Sequence, residues 1–179
     1  MPTQTTEVAA VRREAAQDSP ALQANNASTA EEAIAEQLPD ARTIMHQRLK
    51  MLGSIVLLMQ NSPLHRQYTI AELEERFIPS LLHNQFRYYE INGAPVGFLS
   101  WAWLDEDTET KFSTGKYELS LDEWKSGESL WFPEFIAPFG HARMMVKDIR
   151  TNVFKKGTPA KALRISPEGE LTGIAKYRL

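Results

Sequence analysis

"FRYYEINGAPVGFLSWAWL", residues 86–104, holds two aromatic and aliphatic runs on either side of Asn92-Gly93. Asn-Gly is the strongest short hairpin signal, because both residues tolerate the positive φ of a type I′ turn. The stretch therefore reads as two antiparallel strands, and it divides the chain. Upstream, residues 43–60 and the run "IAELEERFIPSLLHNQ" after Thr69 read as helices. Asn61, Ser62 and Pro63 stop the first. Thr69 with Glu72 forms a capping box for the second, whose Ile70, Leu73, Phe77 and Leu81 keep helical spacing.

Downstream, "GKYELS" (115–120) reads as a further strand, and Ser120 with Glu123 caps a short helix ending at Trp124. "SLWFPEFIAPFG" (129–140) reads as a central strand broken at Pro138. Helical period returns over 141–155. "AKALRIS" and "ELTGIAKYRL" then form two strands about the turn Pro167-Glu168-Gly169. The order predicts an α+β fold, one mixed or antiparallel sheet flanked by helices. The N-acyltransferase fold of acetyl-CoA-dependent enzymes (GNAT-like) has such an order, but order alone leaves several folds open.

Composition narrows the function. The 179 residues suit one domain, and 42% hydrophobic with 24% charged content is ordinary for a soluble globular protein. Without cysteine there is no disulfide framework or thiol nucleophile, which fits a reducing cytoplasm. Residues 1–42 are acidic and poor in large apolar side chains, and are expected to form a mobile extension. They carry a net −4 against −3 for the whole chain, leaving residues 43–179 near +1. That is too neutral for a general nucleic-acid binder. No apolar run is long enough to span a bilayer, and no secretory signal is read at the N-terminus.

His46, His65, His83 and His141 are scattered without metal-ligand spacing, so no metal site is expected. No Gly-x-Gly-x-x-Gly, Walker A motif or nucleophile elbow is present. Two segments stand out. "SPLHR" (62–66) places His65 just after a turn, either as an exposed surface histidine or as an imidazole presented to substrate. In residues 129–140 Glu134 is the single ionisable residue of an apolar run. It either points to water from an edge strand or supplies a carboxylate beside a histidine.

"SPLHR", "LSWAWL" and "W-x-SG-x-x-x-WF-x-x-x-IAPFG" (124–140), in this order and separation, resemble the RTX toxin-activating lysine acyltransferases, the haemolysin-activating proteins of Gram-negative bacteria. The resemblance covers about residues 50–179. It implies a cytoplasmic, homodimeric enzyme that takes a fatty acyl group from acyl carrier protein. The group goes to internal lysines of a secreted RTX protoxin, with no bound cofactor. It also implies that His65 is catalytic, that Ser62 matters functionally, and that Glu134 occupies the place of a catalytic aspartate, one methylene longer.

That chemistry suits these residue types. Lysine, with a pKa of about 10.4, is a cation at neutral pH and must lose a proton to attack a thioester. His65 would act as general base, oriented by Glu134. Direct attack is preferred over an acyl-histidine intermediate. Backbone N–H groups from Ile136 to Gly140, around Pro138, are candidate oxyanion donors. Ser62 is another, or it only shapes the turn. Trp101, Trp103, Trp131, Phe132 and Phe139 either line an acyl channel or are ordinary core. Arg143, Lys147 and Arg150, at i, i+4 and i+7, form either a dock for acidic acyl carrier protein or a plain solvated face. Competing functions are a coenzyme A-dependent small-molecule N-acyltransferase, disfavoured by the missing Gly-rich loop, and a non-catalytic toxin-binding chaperone.

Overall fold

The structure, a computed structural model, describes residues 41–179. The extension expected over 1–42 lies, but for its last two residues, outside the described residues. Helix α1 (Ala41–Gln60) buries Ile55, Leu58 and Met59 against Phe77, Phe98 and Ile136. A 3-10 turn, His65–Gln67, leads into α2 (Ile70–His83), whose capping box forms as expected from Thr69 and Glu72. Asn84, left-handed at φ 53°, ends it. No helix among the described residues is long and apolar enough to cross a membrane.

The Asn-Gly hairpin also forms. Strand β1 (Phe86–Ile91) pairs antiparallel with β2 (Ala94–Ser100) through Asn92 and Gly93, both at positive φ. Strand β3 (Ala102–Leu104) follows after a single residue. Trp101 leaves the ladder there, its N–H donating to the Gln85 carbonyl at 3.0 Å. The fold is α+β, but the expectation of one sheet is corrected: the strands form two. One sheet runs β1–β2–β5, with β5 at Phe135–Ile136. The other runs β3–β4–β6–β7, with β4 at Ser129–Trp131, β6 at Pro159–Ile165 and β7 at Leu171–Arg178.

The cause of the division is a local surplus of chain. Leu99 pairs with Phe135 and Ala102 with Trp131, so Ser100 and Trp101 face three residues, Phe132–Glu134. Pro133 has no N–H to give a ladder. The expected break at Pro138 therefore lies at Pro133 instead. On the β4 side Phe132 N–H donates to the Lys161 carbonyl at 2.8 Å, following β6. Beyond it the chain turns back to β2: Ser100 N–H donates to the Glu134 carbonyl at 3.0 Å, and Glu134 N–H to Ser100 Oγ at 3.2 Å. β5 and β6 thus part company at Pro133, and a cleft opens between them.

Two further differences matter for that cleft. Residues 115–120 are not a strand. Gly115 sits at φ 71° and the segment runs as a loop, with Leu119 buried and Tyr117 packed on the same cluster as Phe112 and Trp131. Helix α3 (Glu106–Phe112) precedes it, capped by Asp105, which accepts from Thr108 N–H at 2.7 Å. The 141–155 helix is α4 (Ala142–Asp148), continued by a π-helical turn over Ile149–Val153. Met145 and Ile149 are buried with Leu99, Leu130 and Phe132. Gly97 on β2 has no Cβ because one would strike the Met145 sulfur.

Candidate active site

Three segments remote in sequence converge on the floor of the cleft. The first is the end of α1. With Pro63 forbidding another helical turn, the chain folds tightly: Arg66 N–H donates to the Ser62 carbonyl at 3.0 Å and Tyr68 N–H to the His65 carbonyl at 3.1 Å. This curls the His65 ring back onto Ser62, with Ser62 Oγ 2.6 Å from Nδ1. The histidine, read in sequence as belonging to an exposed turn, is buried at 6% exposure.

The second segment is the bulge. Pinned by Ser100 on its main chain, Glu134 points inward rather than to water. It is 3% exposed, and its Oε2 lies 3.1 Å from His65 Nε2. The third is α2, which sends Arg76 to the other carboxylate oxygen. Its Nη1 lies 3.4 Å from Glu134 Oε1, an ion pair longer than a good hydrogen bond. Arg76 also pairs with Glu118 from the 113–121 loop. Its guanidinium lies over the Tyr68 ring, 4.9 Å from the centroid, and that ring is 5.2 Å from the His65 ring.

The charges explain the protonation. Burial alone would lower the Arg76 guanidinium, but the carboxylates of Glu134 and Glu118 outweigh it and raise its pKa, so it is a fixed cation. Burial, and next the Glu134 charge, push the Tyr68 phenol well above its ordinary value, so it stays neutral. Burial likewise raises the Glu118 carboxyl, against the pull of Arg76. An ionised carboxylate can only accept, so in the neutral imidazole Nε2 carries the proton toward Glu134. Nδ1 is then the basic nitrogen, accepting from the Ser62 hydroxyl.

The cleft over this array measures about 420 Å³. Its lining combines polar His65, Tyr68, Glu72, Arg76 and Glu134 with apolar residues that include Phe112, Phe132, Phe135, Leu163 and Ile165. Of the five aromatics considered for an acyl channel, Phe132 alone lines the cleft. Trp101 and Trp103 pack edge-on against Phe154, and Trp131 against Phe112. Phe139 is exposed.

Ser62, His65 and Glu134 are thus joined through the ring, but only His65 and Glu134 line the cleft; Ser62, Pro138 and Gly140 are not among its lining residues. Arg143 and Lys147 on α4 and Arg150 on the π-helical turn that continues it are all exposed, around a hollow of about 480 Å³. Arg150 also donates to the Arg178 carbonyl at 2.7 Å. Sequence reasoning missed Arg76, Glu118 and Tyr68. The one available signal was general: a buried carboxylate demands a counter-charge.

The RTX toxin acyltransferase (HlyC) family model matches residues 44–177. Lysine-acyltransferase RtxC of Vibrio cholerae is 43% identical over 115 residues, covering 64% of this chain and 75% of that protein. Protein-lysine myristoyltransferase RtxC of Kingella kingae is 34% identical over 124 residues, 68% of this chain and 73% of its own. An uncharacterized protein of Synechocystis is 35% identical over 132 residues, 72% and 89% of the two chains. With the match spanning both the histidine turn and the bulge that carries Glu134, the chain belongs to the RTX toxin acyltransferase family and is an acyltransferase.

Proposed function

We propose that this chain moves a fatty acyl group from the thioester of acyl carrier protein to lysine side chains of an RTX protoxin, in the cytoplasm. The observation that carries the reading is the buried His65–Glu134 pair lining a cleft with many apolar neighbours, with half-buried Ser62 hydrogen-bonded to the other ring nitrogen. The lysine enters as the neutral amine, its ammonium proton having passed to solvent, and its nitrogen attacks the thioester carbon. Its proton passes to the Ser62 hydroxyl as that hydroxyl gives its own to His65 Nδ1. Glu134 stabilises the imidazolium that forms. When the C–S bond breaks, the imidazolium returns a proton to the departing thiolate, leaving an amide and a thiol. Apolar Phe132, Phe135, Leu163 and Ile165 give the acyl chain a dry surface. The parting of β5 from β6 supports the acetyltransferase-like architecture, since it exposes strand edges to an extended donor arm.

A silent chaperone needs no buried, fully engaged histidine, and the departure from aspartate that favoured it leaves a carboxylate still in reach of the ring. Co-expression with an RTX protoxin and acyl carrier protein, followed by intact-mass measurement, tests the reading. A mass gain of fatty acyl units on protoxin lysines is expected. An unchanged mass with a stable enzyme–protoxin complex would favour the chaperone. Acylation of small amines with coenzyme A donors alone would favour the small-molecule enzyme.

Donor docking is assigned to the exposed face of α4 and the π-helical turn that continues it. Acyl carrier proteins are acidic, and Arg143, Lys147 and Arg150 present positive charge without a carboxylate partner among the described residues. Reversing all three to Glu is expected to raise the KM for acyl carrier protein about tenfold or more, with kcat little changed. Added salt should raise the wild-type KM in the same direction. A triple variant with wild-type KM and salt response would place the dock elsewhere.

A further inference from the structure

We propose that Arg76 is a positioning residue for acyl transfer, holding Glu134 ionised and aimed at His65, and that Glu118 moderates how strongly its charge is felt. The proposal rests on His65 acting as the base, and it adds two residues to that mechanism.

Glu134 has two oxygens and two partners. Oε2 meets His65 and Oε1 meets Arg76. Its backbone is fixed by Ser100, so the carboxylate cannot retreat to water. A carboxyl so buried tends to take up a proton unless a cation faces it. A protonated Glu134 would no longer specify which ring nitrogen is basic. Arg76 is the only Lys or Arg lining the cleft among the described residues. It is itself held by the Tyr68 face and by Glu118.

The charged and titratable groups around the pair can be named from each element. The turn brings Tyr68, α2 brings Glu72 and Arg76 with Glu75 near Glu118, and the 113–121 loop brings Glu118. The β6–β7 wall brings Tyr177. One cation therefore balances several carboxylates. With a neutral ring, Arg76 set against Glu72, Glu118 and Glu134 leaves the group at −2. When the ring accepts the amine proton the group becomes −1. Arg76 thus prevents the carboxylates from loading the ring with a proton before substrate arrives, and Glu118 works against it.

The signs make a test. Removing Arg76 removes a positive charge, so the site holds a proton more tightly and the acid limb of the pH–kcat profile moves up. Removing the Glu118 charge moves it down. Arg76→Met is expected to raise the limb by about one pH unit and lower turnover at pH 7 about tenfold, with the donor KM unchanged. Arg76→Lys should restore most of the limb position. Glu118→Gln should lower the limb by a smaller amount, because its side chain is 36% exposed and screened. A merely structural role would lower the melting temperature and leave the limb in place. If Arg76→Met does not fold, Arg76→Gln takes its place beside Glu118→Gln. Unmoved limbs in these charge-removing variants, or shifts of the same sign for the Arg76 and Glu118 variants, would overturn the proposal. His65→Gln, run alongside, separates the two ideas: an active His65→Gln enzyme sinks the base assignment, whereas an inactive one with unmoved Arg76 and Glu118 limbs sinks only this inference.

Discussion

Replacing His65 by glutamine is expected to cut acyl transfer by ~10²–10⁴-fold at neutral pH, in a protein that still folds. Glutamine approximates the imidazole in length, and its amide can still donate toward Glu134 Oε2. What it lacks is a nitrogen able to take the proton from the Ser62 hydroxyl. His65→Ala should be equally inactive but less stable. The ring is buried, bonded at both nitrogens and packed beside Tyr68. Its removal leaves Glu134 without one of its two partners, a loss of about 1–3 kcal/mol. At an exposed surface histidine alanine would cost little, but the burial of His65 makes it costly here. Single-turnover transfer from acyl carrier protein, read by mass, and a thermal melt separate the two effects. Near wild-type turnover in the glutamine variant would remove His65 from the chemistry.

How much of this site could be read beforehand depended on whether the signal was local. The Asn92-Gly93 turn and the Thr69/Glu72 capping box are set by neighbours in sequence, and both form as the pattern says. The break between the sheets depends on Pro133 meeting Ser100 across the ladder, a register that no local pattern encodes. Residues 115–120 imitate a strand because Tyr117 and Leu119 alternate with Lys116 and Glu118. In the structure that alternation serves a loop, which buries Leu119 and sends Glu118 across to Arg76. Helix α3 was invisible because "EDTETKF" buries only Thr108 and Phe112, too few to show a period. Ser62, His65 and Glu134 were picked out by the family resemblance and by one carboxylate in an apolar run. Arg76 had no such contrast, being one polar residue among many on an amphipathic helix.

Glu134→Gln is expected to lose about 10²–10⁴-fold in turnover and to show what the carboxylate adds beyond its shape. Its side chain sits between two donors, His65 Nε2 at 3.1 Å and Arg76 Nη1 at 3.4 Å. A carboxylate accepts from both. An amide has one oxygen and one NH₂, so one of the two donors must face another donor. If the oxygen turns to Arg76, the ring is driven to the other tautomer and Nδ1 no longer accepts from Ser62. If it turns to His65, Arg76 is left opposite an NH₂ group with only Glu118 to balance it. Either way no negative charge remains to stabilise the imidazolium. Glu134→Asp keeps the charge but withdraws the carboxylate by roughly one C–C bond, about 1.5 Å. Because Ser100 pins the backbone at this position, the lost reach must come from the His65 turn or from Arg76 moving inward. The aspartate variant is accordingly expected to stay within about tenfold of wild type, since geometry is perturbed while the electrostatic partner survives. The informative measurement is kcat for wild type, Gln and Asp at one donor concentration well above KM, with melts to confirm folding. Equal turnover in all three would make Glu134 a structural carboxylate and leave His65 without an orienting partner.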